Sequence, residues 1–181
     1  MVLFPLSSMK THIVLIPKAK TPMKIIQYRP ISLSNVISRL ASNVLANRLK
    51  RLFPHIISEN QSGFMSNRLI IDNVLVSFET MHHISQKKNG KVGEITLKLD
   101  MSKTYDMVKW GCLESIMVKM SFHTKWVDIM MRSIQTVTYS IKINGKPWGN
   151  ITRTRGLRQG YPLSPNLILI CAEGLLALLR T

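Results

Sequence analysis

Acidic residues are scarce in this sequence. Its 181 residues carry 9 Asp and Glu against 25 Lys and Arg, a formal net charge of +16. So few carboxylates exclude an acidic, cation-buffering surface, and the excess of one sign makes a positive field suited to nucleic acid or another polyanion. Cysteine is scarcer still. Cys112 and Cys171 are the whole complement, too few for a disulfide framework or a Cys-rich zinc site. Each falls in an apolar helical pattern, so both are expected as buried free thiols in a reducing compartment. Long hydrophobic runs are missing as well. The nearest, LILICAEGLLALL, is short and broken by Glu173, so no membrane-spanning segment is expected. The amino terminus, MVLFPLSSMK, lacks the charged start and sustained apolar region of a signal peptide. An intracellular protein, nuclear or cytoplasmic, is expected. No internal repeat, phosphate-binding glycine loop, nucleophile elbow or metalloprotease motif occurs.

What is present is a chain 45% hydrophobic, enough to build a core. The positive charge is spread: 12 basic and 3 acidic residues precede Lys91, and 13 and 6 follow from there. His12 to Ile16 forms an apolar strand closed by Pro17, and AKTPMKIIQYRP reads as a basic loop. A long helix follows, with Val36, Ile37, Leu40, Val44, Leu45, Leu49 and Leu52 as its apolar stripe, capped by Ser32 or Ser34 and ended by Pro54. After a polar stretch at 60–73, a second helix points Ile71, Val74, Leu75, Phe78 and Met81 inward. His82 and His83 are adjacent, about 100° apart on a helix, and cannot chelate one metal as an i, i+4 pair would. KKNGK at 87–91 is a basic turn.

The central stretch is EITLKLDMSKTYDMVKW. Ile95, Leu97 and Leu99 alternate with Thr96 and Lys98, the pattern of a strand with one buried face, which delivers Asp100 to its carboxyl end. A carboxylate there suits a magnesium site acting on a polyanion, or equally an N-cap for the next helix. Two helices follow, Val108 to Met120 with Leu113, Ile116, Met117 and Met120 on one side, and about His123 to Ile134 burying Trp126, Ile129 and Met130. Tyr139, Ile141 and Ile143 then alternate into an Asn144-Gly145 hairpin turn, with a return strand near Trp148 to Thr152. The basic loop RTRGLRQGYPLSP leads into a last apolar helix from Ser164. Mixed strands and helices with a hairpin indicate an α+β fold.

IVLIPK, YRPISLSNV, VLANRLK, NQSGF, LKLDMSKTYD, INGK and RGLRQGYPLSP occur in an order that resembles the reverse transcriptases of LINE-type (non-LTR) retrotransposons, particularly those of plants. The resemblance implies partial fingers (about 12–92) and a partial palm (about 93–181) of a right-hand polymerase, after an N-terminal extension at 1–11. It implies an RNA template, a DNA primer, deoxynucleoside triphosphates and two Mg²⁺ ions. By the same resemblance Asp100 is the first catalytic carboxylate and a metal ligand, helped by the main-chain carbonyl of Met101. Tyr105 matches the ring that excludes a ribose 2′-hydroxyl. Gln159 and Gly160 match the motif against the nucleotide and template, where Arg155 and Arg158 hold phosphates or are surface charge. Lys18, Arg29 and Arg68 match basic residues near the triphosphate or template, and Asp106 a structural helix-start carboxylate.

Two departures from the family pattern stand out. Tyr161 occupies the place of the aspartate in the usual QGDPLSP, and the chain ends before the family's aromatic-Ala-Asp-Asp hairpin, its thumb also lacking. The resemblance therefore implies a polymerase fragment, inactive and poorly soluble alone. A basic RNA-binding module, or the remnant of a decayed element, is the alternative.

Overall fold

A computed structural model describes residues 10–87, 93–100 and 103–180. Four strands form a mixed sheet in the order β2-β1-β3-β4. β1 (Lys10–Pro17) and β2 (Tyr28–Leu33) are one antiparallel hairpin, β3 (Thr138–Ile143) and β4 (Lys146–Thr152) another. The hairpins join through parallel pairing of β1 with β3, Thr11 opposite Tyr139 and Ile13 opposite Ile141. Side chains reinforce that junction, with His12 Nδ1 2.6 Å from Ser140 Oγ. The Asn144-Gly145 turn forms as its sequence demands: both residues have positive φ, 48° and 81°, the conformation of a two-residue turn whose twist matches the flanking strands. β2 is a correction to the expected loop at 19–30. Pro30 within it does not forbid a strand, because β2 is at the sheet edge.

The main core lies where α1 (Val36–Lys50) and α2 (Phe53–Ile56) meet α5 (Trp110–Lys119), α6 (Thr124–Gln135) and α7 (Ser164–Leu179). The last three follow their sequence periodicity. α5 buries Leu113 and Met117 completely, α6 buries Val127, Met130, Met131 and Ile134, and α7 buries Leu167, Leu169 and Ile170. Trp126 and Ile129 sit half-buried at the margin of α6, and the expected burial of Cys112 does not hold, since that residue is exposed.

Three expectations fail, each for a packing reason. α1 turns a different face inward: Ser38, Ser42, Ala46 and Leu49 are buried, whereas Val36, Ile37, Leu40 and Val44 are exposed. Small side chains let α1 approach closely, so Asn166 Nδ2 donates to Ala46 C=O at 3.4 Å and Tyr161 reaches Ser38. Its N-cap is Asn35 rather than Ser32 or Ser34, with the Asn35 side chain accepting from the Ser38 amide at 2.7 Å. α3 (Ile70–Gln86) forms where the periodicity places it but buries nothing, Phe78 being 69% exposed. The segment 93–100 is not a strand. Ile95 is 93% exposed and Leu97 75%. Alternation marks a face that a sheet could cover, but a strand exists only through hydrogen bonds to a neighbour. No neighbouring strand lies beside this segment among the described residues. The basic turn at 87–91 falls largely outside the described residues.

Candidate nucleotide and template site

The short helix α4 (Thr104–Met107) carries Tyr105 and Asp106 and is held against the loop at 153–163 by backbone contacts. The Leu157 amide donates to Tyr105 C=O at 2.6 Å, and the Gly156 amide donates to Val108 C=O at 2.8 Å. Trp110 Nε1 donates to Gly156 C=O at 2.8 Å. Gly156 sits at φ 90°, and a Cβ there would lie 3.1 Å from the carbonyl oxygens of both Tyr105 and Asp106. Only glycine allows that backbone angle and that approach together. Arg153 adds an ion pair to Asp106 at 3.3 Å while covering the Tyr139 ring at 5.0 Å. Asp106 thus has the helix-start position expected of it and a partner besides.

The far end of the loop is stitched to β2. The Ser32 amide donates to Gln159 C=O at 3.0 Å, and Gly160, at φ 82°, leaves room for Ile31. The 153–163 loop thus contacts α4, which carries Tyr105, at Gly156 and Leu157, and the β1–β2 hairpin at Gln159 and Gly160. That hairpin carries Arg29, exposed and paired with Ile16. Lys18 follows at its tip, its Nζ donating to Ile26 C=O at 3.1 Å. Half-burial raises the Tyr105 phenol pKa above its ordinary value, so the ring presents a neutral face.

Other expected residues are placed differently. Arg68 is half-buried and spends its guanidinium on the carbonyls of Ser58 and Gln61, at 2.6 and 2.7 Å, which closes the 58–68 loop. Arg155 is exposed. Arg158 is neither surface charge nor open to solvent: it is 1% exposed and the largest fully buried side chain. Its Nη2 donates to Ser133 C=O at 2.7 Å, and its guanidinium stacks 3.3 Å from the centre of the Tyr161 ring. Burial pushes its pKa down, opposed by Tyr161 and Tyr139. Tyr161, the departure from the family pattern, is buried too, its hydroxyl donating to Ser38 C=O at 3.3 Å. An aromatic face and one backbone carbonyl meet this guanidinium where a carboxylate would be the usual partner, and its Nε and Nη1 are buried without a hydrogen-bond partner among the described residues.

Asp100 is exposed in the extended 93–100 segment, whose start is tied down by the Lys87–Glu94 ion pair. Met101 lies outside the described residues. Every Asp and Glu of the sequence is among the described residues, and no three of the described His, Cys, Asp and Glu side chains gather into a metal-holding group. Asp100 alone is suited to one hard-oxygen position. The residues missed from sequence were Gly156, Trp110 and Arg153, which position rather than contact. Only the glycine between Arg155 and Leu157 left a trace, as a break in a basic run.

Residues 16–181 match the model of the family described as reverse transcriptase (RNA-dependent DNA polymerase). The chain is 29% identical over 176 residues to a 149 kDa protein of transposon TX1 from Xenopus laevis, across 97% of this chain and 13% of that protein. It is 26% identical to a retrovirus-related Pol polyprotein from the type-1 retrotransposable element R2 of Popillia japonica, across 98% of this chain and 24% of the relative. A 38-residue stretch is 58% identical to a mitochondrial protein of Arabidopsis thaliana, 21% of this chain and 31% of that one. The chain thus spans less than a quarter of the length of the long retrotransposon relatives it matches almost end to end. With a family match over nearly all of its length and Pol proteins of mobile elements as its relatives, the chain belongs to the reverse transcriptase (RNA-dependent DNA polymerase) family, of the LINE type.

Proposed function

We propose that the chain is the nucleotide- and template-contacting portion of an RNA-directed DNA polymerase, fingers about 12–92 and partial palm about 93–181. The observation that carries this reading is the clasp between α4 and the 153–163 loop, which ties the helix that bears Tyr105 to the loop that bears Gln159 and Gly160. In this reading the Tyr105 ring blocks a ribose 2′-hydroxyl by bulk, while Gln159 offers a donor and an acceptor. Gly160 permits close approach of a base or sugar to the backbone. Lys18, Arg29 and Arg155 meet phosphates. Asp100 would supply one Mg²⁺ ligand, and by the family resemblance the main-chain carbonyl of Met101, outside the described residues, would supply another. When bound, paired Mg²⁺ ions stabilise the attacking and leaving oxygens of phosphoryl transfer. No group of three or more His, Cys, Asp or Glu side chains forms among the described residues, so these residues make only part of such a site.

The test is binding and extension of an RNA template annealed to a DNA primer by the purified chain. Binding is expected, weakened severalfold by Gln159→Ala and by Arg29→Ala. Primer extension with Mg²⁺ is expected to be undetectable and unaltered by Asp100→Ala. Binding indifferent to both substitutions would overturn the proposed site; incorporation of deoxynucleotides that disappears in Asp100→Ala would overturn the reading of an incomplete metal centre.

A further inference from the structure

The covered face of the sheet outruns the core beneath it. Thr11, Ile13 and Tyr139 are buried, and the pairings Thr11 with Tyr139 and Ile13 with Ile141 put them on one face. Cross-strand partners share a face, and along a strand that face recurs at every second residue. Ile141 with Trp148, then Ile143 with Lys146, therefore continue it toward the Asn144-Gly145 turn. Burial fades along the way: Ile141 is half-buried, Ile143 is 51% exposed and Trp148 60%. β4 is exposed along its whole length. Trp148 thus shares an open shelf with Ile143 and Lys146 at the end of the sheet.

Two features indicate what fits this shelf. The first is charge. Between Asp128 and Glu173 the sequence holds six Lys and Arg and no Asp or Glu. Arg132 and Arg153 are ion-paired with Asp128 and Asp106, and Arg158 is buried. Lys142, Lys146 and Arg155 are exposed, with no ion pair among the described residues. The second feature is the edge itself. β4 is the outer strand, its Pro147 has no N–H, and its pairing jumps from Ile151 to Trp148 across Gly149, which sits at φ 73°. Such an edge resists pairing with another strand, so a partner meets side chains rather than backbone. An open indole among unpaired cations matches a nucleobase and its phosphates.

We propose that the β3–β4 hairpin is a stacking platform for single-stranded RNA, the Trp148 indole taking an unpaired base and Lys146, on the same face, the adjoining phosphate. Lys142 adds positive potential from the other face, and Arg155, just past the end of β4, continues the track toward Gln159. The proposal rests on the reading of the chain as the template-contacting part of a polymerase. It gives that reading a second contact, outside the nucleotide site, for template that has no partner strand. A base inside a duplex has its π faces covered by its neighbours, so the platform separates single strands from duplex without reading sequence.

The test is binding of the purified 181-residue chain to a fluorescein-labelled oligoadenylate, alone and annealed to its complement. Trp148→Ala should weaken single-strand binding about 5- to 100-fold, the worth of one base–aromatic stack, and change duplex binding less than about twofold. Trp148→Phe should restore most of the lost affinity, since a phenyl ring still offers a π face. Lys146→Gln should lower the slope of log affinity against log salt by about 0.7, the share of one single-strand phosphate. Indole quenching by unlabelled oligoadenylate, present in the parent chain and absent in Trp148→Phe, reads the stack without relying on the alanine variant. Equal weakening on both RNA forms, no weakening at all, or Trp148→Phe as weak as Trp148→Ala would overturn the proposal. So would unchanged RNA binding by Trp148→Ala together with loss of a dimer that the parent chain forms. If Trp148→Ala loses single-strand affinity while Gln159→Ala and Arg29→Ala leave primer–template binding intact, the platform stands and the nucleotide site falls; the reverse pattern overturns the platform alone.

Discussion

At the scale of single residues, Gly156 has the clearest structural task. Its φ of 90° and the two carbonyl oxygens a Cβ would meet at 3.1 Å make Gly156→Ala both strained and crowded. The expected loss is about 1–3 kcal/mol in denaturant unfolding, with weakened primer–template binding because the α4 clasp loosens. Cys171 offers a pH-dependent measure. Its thiol is held up to about 12 in the folded chain against 9.0 ordinarily. Its contribution to stability is complete below the unfolded value. As pH rises past it, the unfolded chain sheds the proton while the folded chain keeps it, and stability falls by up to about 1.4 kcal/mol per pH unit until the folded value is reached. Under reducing conditions Cys171→Ala should therefore lose less stability than the wild type between pH 9.0 and about 12. Tyr105, Gln159 and Gly160 were legible as site candidates because a motif names residue types. The burial of Arg158 was not, since a guanidinium reads alike in sequence whether it faces water or a tyrosine ring.

Among the secondary-structure elements, local chemistry and packing divide the credit. The β3–β4 hairpin could be read from Asn144-Gly145 because a turn is a local decision. α5, α6 and α7 followed from apolar spacing because their hydrophobic faces are the ones covered. α1 did not, for its contact selects small side chains over large ones, and hydrophobicity alone ranks Ser38 and Ser42 as outward. α3 presents the sharpest contrast. Phe78→Ala should change unfolding free energy by less than about 0.5 kcal/mol, as for exposed positions generally. Leu113→Ala, at a site with no exposure, should cost about 2–5 kcal/mol. Urea titrations of the two variants beside the parent chain check both, and amide exchange in α3 should be fast relative to α5.

For the whole molecule, the net charge of +16 and the exposed apolar faces of α1, α3 and 93–100 pull in different directions. Charge keeps molecules apart at low salt; screening removes that protection and favours association through the apolar patches. The same charge should dominate RNA affinity. If the chain neutralises about six to ten phosphates, affinity should fall by roughly 10³–10⁵ between about 50 and about 200 mM salt. Asp100→Ala should leave that slope unchanged. A salt-independent affinity would mean that the basic surface is not the contact. No described helix is long and apolar enough to cross a membrane, as the broken LILICAEGLLALL run led one to expect.

What the sequence by itself determined was membership in the family, the mixed α+β character, the hairpin and the helices that supply the core. Each depends on residue type and short-range spacing, which are written along the chain. Only the tertiary structure decided which face of α1 is inward, that α3 and 93–100 stay uncovered, and that Arg158 is interior. It also decided that α4, with Tyr105, is clasped to the loop of Gln159 and Gly160 at Gly156 and Leu157. These depend on which surfaces meet across long separations in the chain, and burial is a property of the pair of surfaces, not of either segment alone.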